Sequence, residues 1–207
     1  MHKSELLLKL IVTTLLLSSL VYLAKVGIAD FLRLEPCAYV DANAKGVRPF
    51  DPVELDKART RLQLAKSWDA SNPVVPEYLG QTDFTMAQLL AFSPVLQVNF
   101  LRAAIVNFDA AIALRPYSAY LWAARMTMGN WLLEINEKLG IAGSSEANEL
   151  EVITISMRRA AILDPWNPSV LQQIIKFGKS RYKQLTVADQ VVIDEARNRA
   201  KRLNLSI

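Results

Sequence analysis

The side chains in this chain that could do chemistry are few and scattered. Among 207 residues the only histidine is His2 and the only cysteine is Cys37. One imidazole cannot build a histidine-based metal site or a nucleophile–histidine–carboxylate triad. One thiol excludes an intrachain disulfide and any multi-cysteine metal site. Carboxylates are present at Asp164, Asp189, Asp194 and Glu195, but none forms an evident inward-facing pair, and the adjacent Asp194 and Glu195 read as a solvated helix face. The expectation is therefore a protein with no catalytic residues, no cofactor and no metal. What remains is the chemistry of binding. Lys176 and Lys179 share a helix face, and Arg197, Arg199, Lys201 and Arg202 cluster near the C-terminus. The lysine pair would gain from an acidic segment of a partner or from an anionic glycan or lipid group, and the C-terminal cluster complements a helix dipole, or touches an anionic lipid or an acidic partner. A net charge of +4 is too mild for a nucleic-acid binder, which needs a dense basic face with stacking aromatics.

These side chains must be positioned by helices. Apolar residues make up 52% of the chain and only seven glycines occur, with long stretches free of both Gly and Pro. Asp51-Pro52 reads as an N-cap with proline at the first helical position, opening a helix to about Trp68. Pro73 and Pro76 open a shorter helix through Leu79 and Gly80, followed by an ambiguous helical piece over 81–92. Ser93-Pro94 starts a helix ending near Leu114. Further helices are expected at about 118–139, 146–163, 168–183 and 187–203. Ser145 is a candidate N-cap, and Thr186 and Asp189 have capping-box spacing with Asp in place of Glu. The β-branched "VITIS" at 152–156 lies between good helix formers and reads as helix. The expected fold class is all-α.

The segment Leu6–Ala24 is nineteen residues with one charge, Lys9. A helix of that length crosses roughly 30 Å of hydrocarbon, with Lys9 snorkelling to one interface and Tyr22 and Lys25 anchoring the other. Gly27-Ile28-Ala29 has the small-x-small form of a signal-peptidase site, although it follows Lys25 and lies late. "LEPC" lacks the small residues a lipoprotein needs before its cysteine. The reading is an uncleaved single-pass anchor in the inner (cytoplasmic) membrane with the bulk of the chain in the periplasm. The charges flanking the span are nearly balanced and set the orientation only weakly. The organisation follows: a tail and anchor over 1–34, a proline-rich linker over 35–51, and a helical domain over 52–207.

Within that domain a corner recurs. "AAIALRPYSAYLWAA" (110–124) and "AAILDPWNPSVLQQ" (160–173) each end one helix, turn, and open another, and "AKSWDASNPVVPEYL" (65–79) is a weaker copy. Ala104, Phe108, Ala111 and Pro116 have the small, large, small and Pro spacing of the second helix of a tetratricopeptide unit. Ile153, Met157, Ala160 and Pro165 repeat it, and Ala58, Leu62, Ala65 and Ala70 do so without the proline. The small residues let helices approach, the large one fills the groove, and the proline stops the helix. Trp122 and Leu171 follow six residues after each proline, and Trp166 or Tyr117 is expected to wedge into the corner. The corners at Trp68, Leu114 and Leu163 are separated by 46 and 49 residues, more than the usual unit of about 34. The expected architecture is a degenerate α-solenoid of antiparallel helix pairs, with "EINEKLGIAGSSEANEL" (134–150) a long junction.

The stretches "AIALRPYSAYLWA", "RRAAILDPWNPSVLQQ" and "RYKQLTVADQ" resemble the VpsP-type polysaccharide biosynthesis proteins, over roughly residues 50–200. Similar corners occur in the helical tails of some O-antigen ligases. The resemblance implies a membrane-anchored tetratricopeptide-like protein serving surface-polysaccharide production, and it brings no catalytic residues. The expected role is a non-enzymatic scaffold for partners in envelope polysaccharide assembly or export, the alternative being an accessory subunit of another membrane complex. In such arrays the first helix of each pair lines the groove. That places Tyr120, Ala123, Thr127 and Asn130 on one partner-binding face and Gln172, Lys176 and Lys179 on the next.

Overall fold

The computed structural model describes residues 2–141 and 146–205. Among them the chain is all-helical, with eight α-helices, one 3₁₀ turn and no strand: α1 (His2–Ala44), α2 (Pro52–Trp68), α3 (Val74–Leu89), α4 (Pro94–Leu114), α5 (Ala119–Leu139), α6 (Glu146–Leu163), α7 (Pro168–Arg181) and α8 (Val187–Arg202). It divides into two compact units, Met1–Val75 and Pro76–Ile207.

In the first unit α1 does not stop at the expected linker. It continues through Pro36 to Ala44 and packs on α2. A mid-helix proline costs about 3 kcal/mol. Here the surrounding residues belong to a buried stripe, with Ala29, Tyr39 and Val40 on α1 and Leu55, Ala58, Leu62 and Ala65 on α2 all under 9% exposed. Packing of that stripe offsets the proline, so 35–44 is helix and only 45–51 is a connection. The Tyr39 hydroxyl accepts the N–H of Asp51 at 3.1 Å and fastens that connection to the helix. Asp51 caps α2 as expected, its carboxylate accepting the N–H of Val53 at 2.8 Å.

The first part of α1 is long and apolar enough to cross a membrane. Its apolar side chains, from Leu6 to Leu23, are all at least 46% exposed, which is compatible with membrane anchoring. α4 passes the same test of length and composition, but Leu101, Ala104, Phe108 and Ala111 are fully buried and make it a core helix.

In the second unit α5 packs against α4, α6 and α7, and α8 against α6 and α7. One apolar cluster joins α4 to α5 and a second joins α5 to α6, α7 and α8, with Trp122 touching both. The expected packing residues Ala104, Phe108, Ala111, Met157 and Ala160 are all 0% exposed. Three glycines, Gly80, Gly129 and Gly178, recur at 49-residue intervals, and each is where a neighbouring helix comes close. A Cβ on Gly80 would sit 2.5 Å from the Phe108 ring, one on Gly129 2.8 Å from Ile153 Cγ1, and one on Gly178 2.5 Å from Ile193 Cγ2. Those distances admit no side chain, which is why glycine is found inside these helices despite its poor propensity.

Two expectations change here. The pieces foreseen around 73–80 and 81–92 form one helix, α3. Pro76 is its third residue, where the missing N–H has no intrahelical partner anyway, and Asn72 accepts the N–H of Val74 at 3.0 Å. The junction over 134–150 falls as expected, with α5 running to Leu139 and ending on Gly140 at φ 66° and α6 described from Glu146; Ser145 lies outside the described residues. The corner aromatics do not wedge inward. Tyr117 is 85% and Trp166 47% exposed, since each corner is closed by a backbone bond, Ser118 N–H to Arg115 O and Asn167 N–H to Asp164 O, and the aromatic rides on its outside. Pro116 is likewise exposed, and Pro165 half-buried. Trp122, from the next helix, steadies the first corner by donating its indole N–H to the Pro116 carbonyl at 2.8 Å. Asn167 caps α7 through its side chain.

Candidate functional site

α3, α5 and α7 each turn one face to a shared cleft of about 290 Å³, lined by Phe84 and Gln88, by Thr127, Asn130, Trp131 and Glu134, and by Gln173, Lys176, Phe177 and Ser180. The spacings within α5 and α7 are three and four residues, which is one helix face. The walls are aromatic: Phe84 meets Trp131 edge-on, ring centres 5.4 Å apart, and Phe177 is buried below them.

The polar groups are held in place by a network anchored outside the cleft. Arg181, 4% exposed at its side chain, donates from Nε to Asn130 Oδ1 at 2.9 Å and pairs with Glu137. That fixes the Asn130 amide, whose Nδ2 then donates to Glu134 at 2.8 Å and approaches Ser180 at 3.4 Å. The Thr127 hydroxyl lies 2.9 Å from the side-chain Oε1 of Gln173. Lys176 is exposed and has no ion-pair partner among the described residues. The cleft thus presents amide donors and acceptors, one carboxylate, one free ammonium and an aromatic wall.

Of the expected groove residues the structure brings Thr127, Asn130 and Lys176 together here. Tyr120 points elsewhere, with its hydroxyl accepting from Gln81 Nε2 at 3.2 Å. Gln172 and Lys179 are exposed but do not line the cleft. The face of α7 turned to α5 runs through Gln173, Lys176, Phe177 and Ser180, roughly one residue round the helix from the face expected. Stepping three and four residues from Thr127 finds Asn130, Trp131 and Glu134. Phe84, Gln88 and Gln173 carry no such signal, because nothing in the sequence says how neighbouring helices are rotated.

In two other clefts most of the charges are engaged. One of about 500 Å³ on α1 and α2 contains the pairs Arg61–Glu35 and Lys57–Glu54, with Arg48 lying 5.4 Å over the Tyr39 ring. Another of about 520 Å³ between α6 and α8 is rimmed by Arg158, bound to Asp189, and Arg199, bound to Glu195. Of the C-terminal basic cluster, Arg197 pairs with Asp194 and stacks on Tyr182, and Arg199 stacks on Trp166. Only Lys201 and Arg202 are left to the solvent. Cys37 is half-buried, and burial, the largest influence, pushes its thiol up to about 11, so it stays protonated at neutral pH. Comparison with protein-family models, with curated proteins and with solved structures finds no match to this chain. Among the described residues no group of three or more His, Cys, Asp or Glu could hold a metal ion.

Proposed function

We propose that this protein is a membrane-anchored helical adaptor that holds a segment of a partner protein in the cleft of α3, α5 and α7. The cleft itself carries the reading: three helices, each the first of a pair (α3/α4, α5/α6, α7/α8), aim aromatic and amide side chains at one surface, with Lys176 unpaired beside them. The 49-residue recurrence of Gly80, Gly129 and Gly178 supports a degenerate tetratricopeptide-like array, in which such a surface is the concave, peptide-receiving side. Exposed carboxamides satisfy the backbone of a bound segment, and the Phe84–Trp131 wall takes its apolar side chain. The setting, surface-polysaccharide assembly on the periplasmic side of the inner membrane, follows from the sequence resemblance described above.

A photo-crosslinking residue at Gln88 tests this in intact cells, with one at the exposed Tyr117 as control. A discrete adduct is expected from Gln88 only, and Lys176→Glu should weaken it severalfold, with capture by the wild type declining as salt rises. Partners from glycan assembly would support the whole proposal. Partners from an unrelated membrane complex would keep the adaptor and remove the polysaccharide setting. Equal labelling from both positions would remove the cleft.

The anchor has its own test. The full-length chain should stay in the membrane pellet through alkaline carbonate washing. Release to the supernatant, or a mature N-terminus near residue 30, would show that α1 does not hold the protein there.

A further inference from the structure

Among the helices of the second unit only α7 carries basic and no acidic residues, and the chain has no Asp or Glu from 165 to 188. The cations in that stretch are Lys176, Lys179, Arg181 and Lys183. Arg181 turns inward and pairs with Glu137. The three lysines are exposed and have no ion-pair partner among the described residues. Lys176 stands at the edge of the cleft. Lys179 lies about 60° round α7 from it, on the side away from Gln173, Phe177 and Ser180, which line the cleft. Lys183 follows in the 3₁₀ turn Tyr182–Gln184.

Folding gives no reason for this strip. Ammonium groups three residues apart on a helix repel one another. The helix dipole favours a cation in the last turn of α7, but Lys176 is more than a turn from the end. The carboxylates of the cleft network are already engaged, Glu137 by Arg181 and Glu134 by the Asn130 amide. The floor also has a donor to spare. Arg181 Nη2 is buried without a hydrogen-bond partner among the described residues. It shares an edge of the guanidinium with Nε, which holds Asn130 at 2.9 Å; the same two nitrogens of Arg158 hold both oxygens of Asp189. Donors and positive charge therefore exceed acceptors along this side of the cleft.

We infer that the segment held in the cleft is acidic: an apolar side chain rests against Phe84 and Trp131, and carboxylates on the residues next to it run along Lys176, Lys179 and Lys183. The inference rests on the cleft being a peptide site. Lys176 to Lys183 spans about 10 Å of helix, which about three residues of extended chain cover. The two lysines outside the cleft act as rim charges, which steer a partner of opposite sign and reject one of like sign.

The test uses the full chain in nanodiscs of neutral phosphatidylcholine, with short fluorescent peptides as probes. One has tryptophan followed by a run of aspartates, a second has asparagines in place of the aspartates, and a third has glycine in place of the tryptophan. Fluorescence anisotropy at low salt should show the first binding at least about tenfold tighter than the second, with the difference shrinking as salt rises. Lys179→Gln with Lys183→Gln should remove most of that difference, although neither residue lines the cleft. Circular dichroism should show the fold intact, since exposed charges seldom decide stability. Gln88→Trp fills the cleft from an exposed position and should weaken the first peptide at least about tenfold. Equal binding of the aspartate and asparagine peptides, both blocked by Gln88→Trp, would overturn the acidic segment and leave the cleft as a peptide site. Acidic peptides that bind equally with and without tryptophan, and ignore Gln88→Trp, would overturn both. Oligogalacturonate binding the lysines more tightly than the first peptide would replace the acidic segment with an anionic sugar. Absence of binding by every peptide would overturn the acidic segment, while the Gln88 adduct in cells decides the cleft separately.

Discussion

Ala111→Glu abolishes the cooperative unfolding of the second unit. Ala111 is 0% exposed and belongs to the cluster that joins α4 to α5, beside Ala104, Phe108 and Leu121. It lies one turn before the end of α4, where Arg115 N–H bonds back to its carbonyl. A glutamate there must bury its carboxylate among apolar groups without a partner, or push the helices apart. Either costs several kcal/mol by order of magnitude, against a total stability of about 5–15 kcal/mol for a domain. Ala111→Ser, small and uncharged, should cost only about 1 kcal/mol. Circular dichroism during heating separates the two: a sharp transition is expected for the serine variant and a broad, early one for the glutamate. A wild-type curve for Ala111→Glu would mean that α4 is rotated away from the helices described here.

What the sequence showed of this fold was what its local chemistry determines. Asp51-Pro52, Ser93-Pro94, Asn167-Pro168 and Thr186 mark helix starts within a residue of where they fall, because caps and prolines act on their own turn. The β-branched run 152–156 is helical because α6 buries Ile153 and Met157 on a period of four. One helix was misjudged because proline was taken as a stop where tertiary packing makes it harmless: Pro36 sits in a buried stripe. α3 was divided at Gly80, which lies inside the helix because the Phe108 ring packs against it. The corner aromatics were misjudged for another reason. Tyr117 and Trp166 are large and apolar, but their place in the turn directs them outward.

The candidate cleft was half legible. Thr127, Asn130 and Lys176 could be placed by helical spacing from the corner, whereas Gln172 and Lys179 lie about one residue round the helix from the working face. That rotation is set by Gly178, which lets Ile193 approach, and by Gln173 reaching Thr127. Both are long-range contacts, invisible to local pattern. The 49-residue spacing of Gly80, Gly129 and Gly178 was present in the sequence, and it gives the helix register more securely than the corners do, because a glycine in a helix interior needs a reason.

The buried ion pair between α6 and α8 was hidden for the same cause, and it supplies a second large effect. Asp189 opens α8 and its side chain is 2% exposed. Arg158 reaches it from α6 with two bonds, Nε to Oδ1 at 2.6 Å and Nη2 to Oδ2 at 3.1 Å, and Thr186 adds its hydroxyl at 2.6 Å. Burial, the largest single influence, pushes this carboxyl upward; the bonds from Arg158 and Thr186 together outweigh it and hold the group below the usual carboxylate range. Arg158→Ala leaves the carboxylate buried with Thr186 alone. Losing one partner of a buried pair costs about 3–5 kcal/mol, and since nearly half of the Arg158 side chain is in solvent, about 2–3 kcal/mol is expected. The sign of the pH dependence follows from a carboxyl that is more acidic in the folded state. The pair contributes fully above the unfolded value, near pH 4, and its contribution is lost as pH falls through the folded value. Urea unfolding at pH 7 should therefore show the full deficit of Arg158→Ala, and the gap to wild type should shrink below about pH 4. Arg158→Leu combined with Asp189→Leu, which removes both charges, should recover most of the loss. A deficit that is the same at pH 7 and pH 3, and that the double change does not relieve, would mean that Arg158 supports α8 by its aliphatic stem and not by its charge.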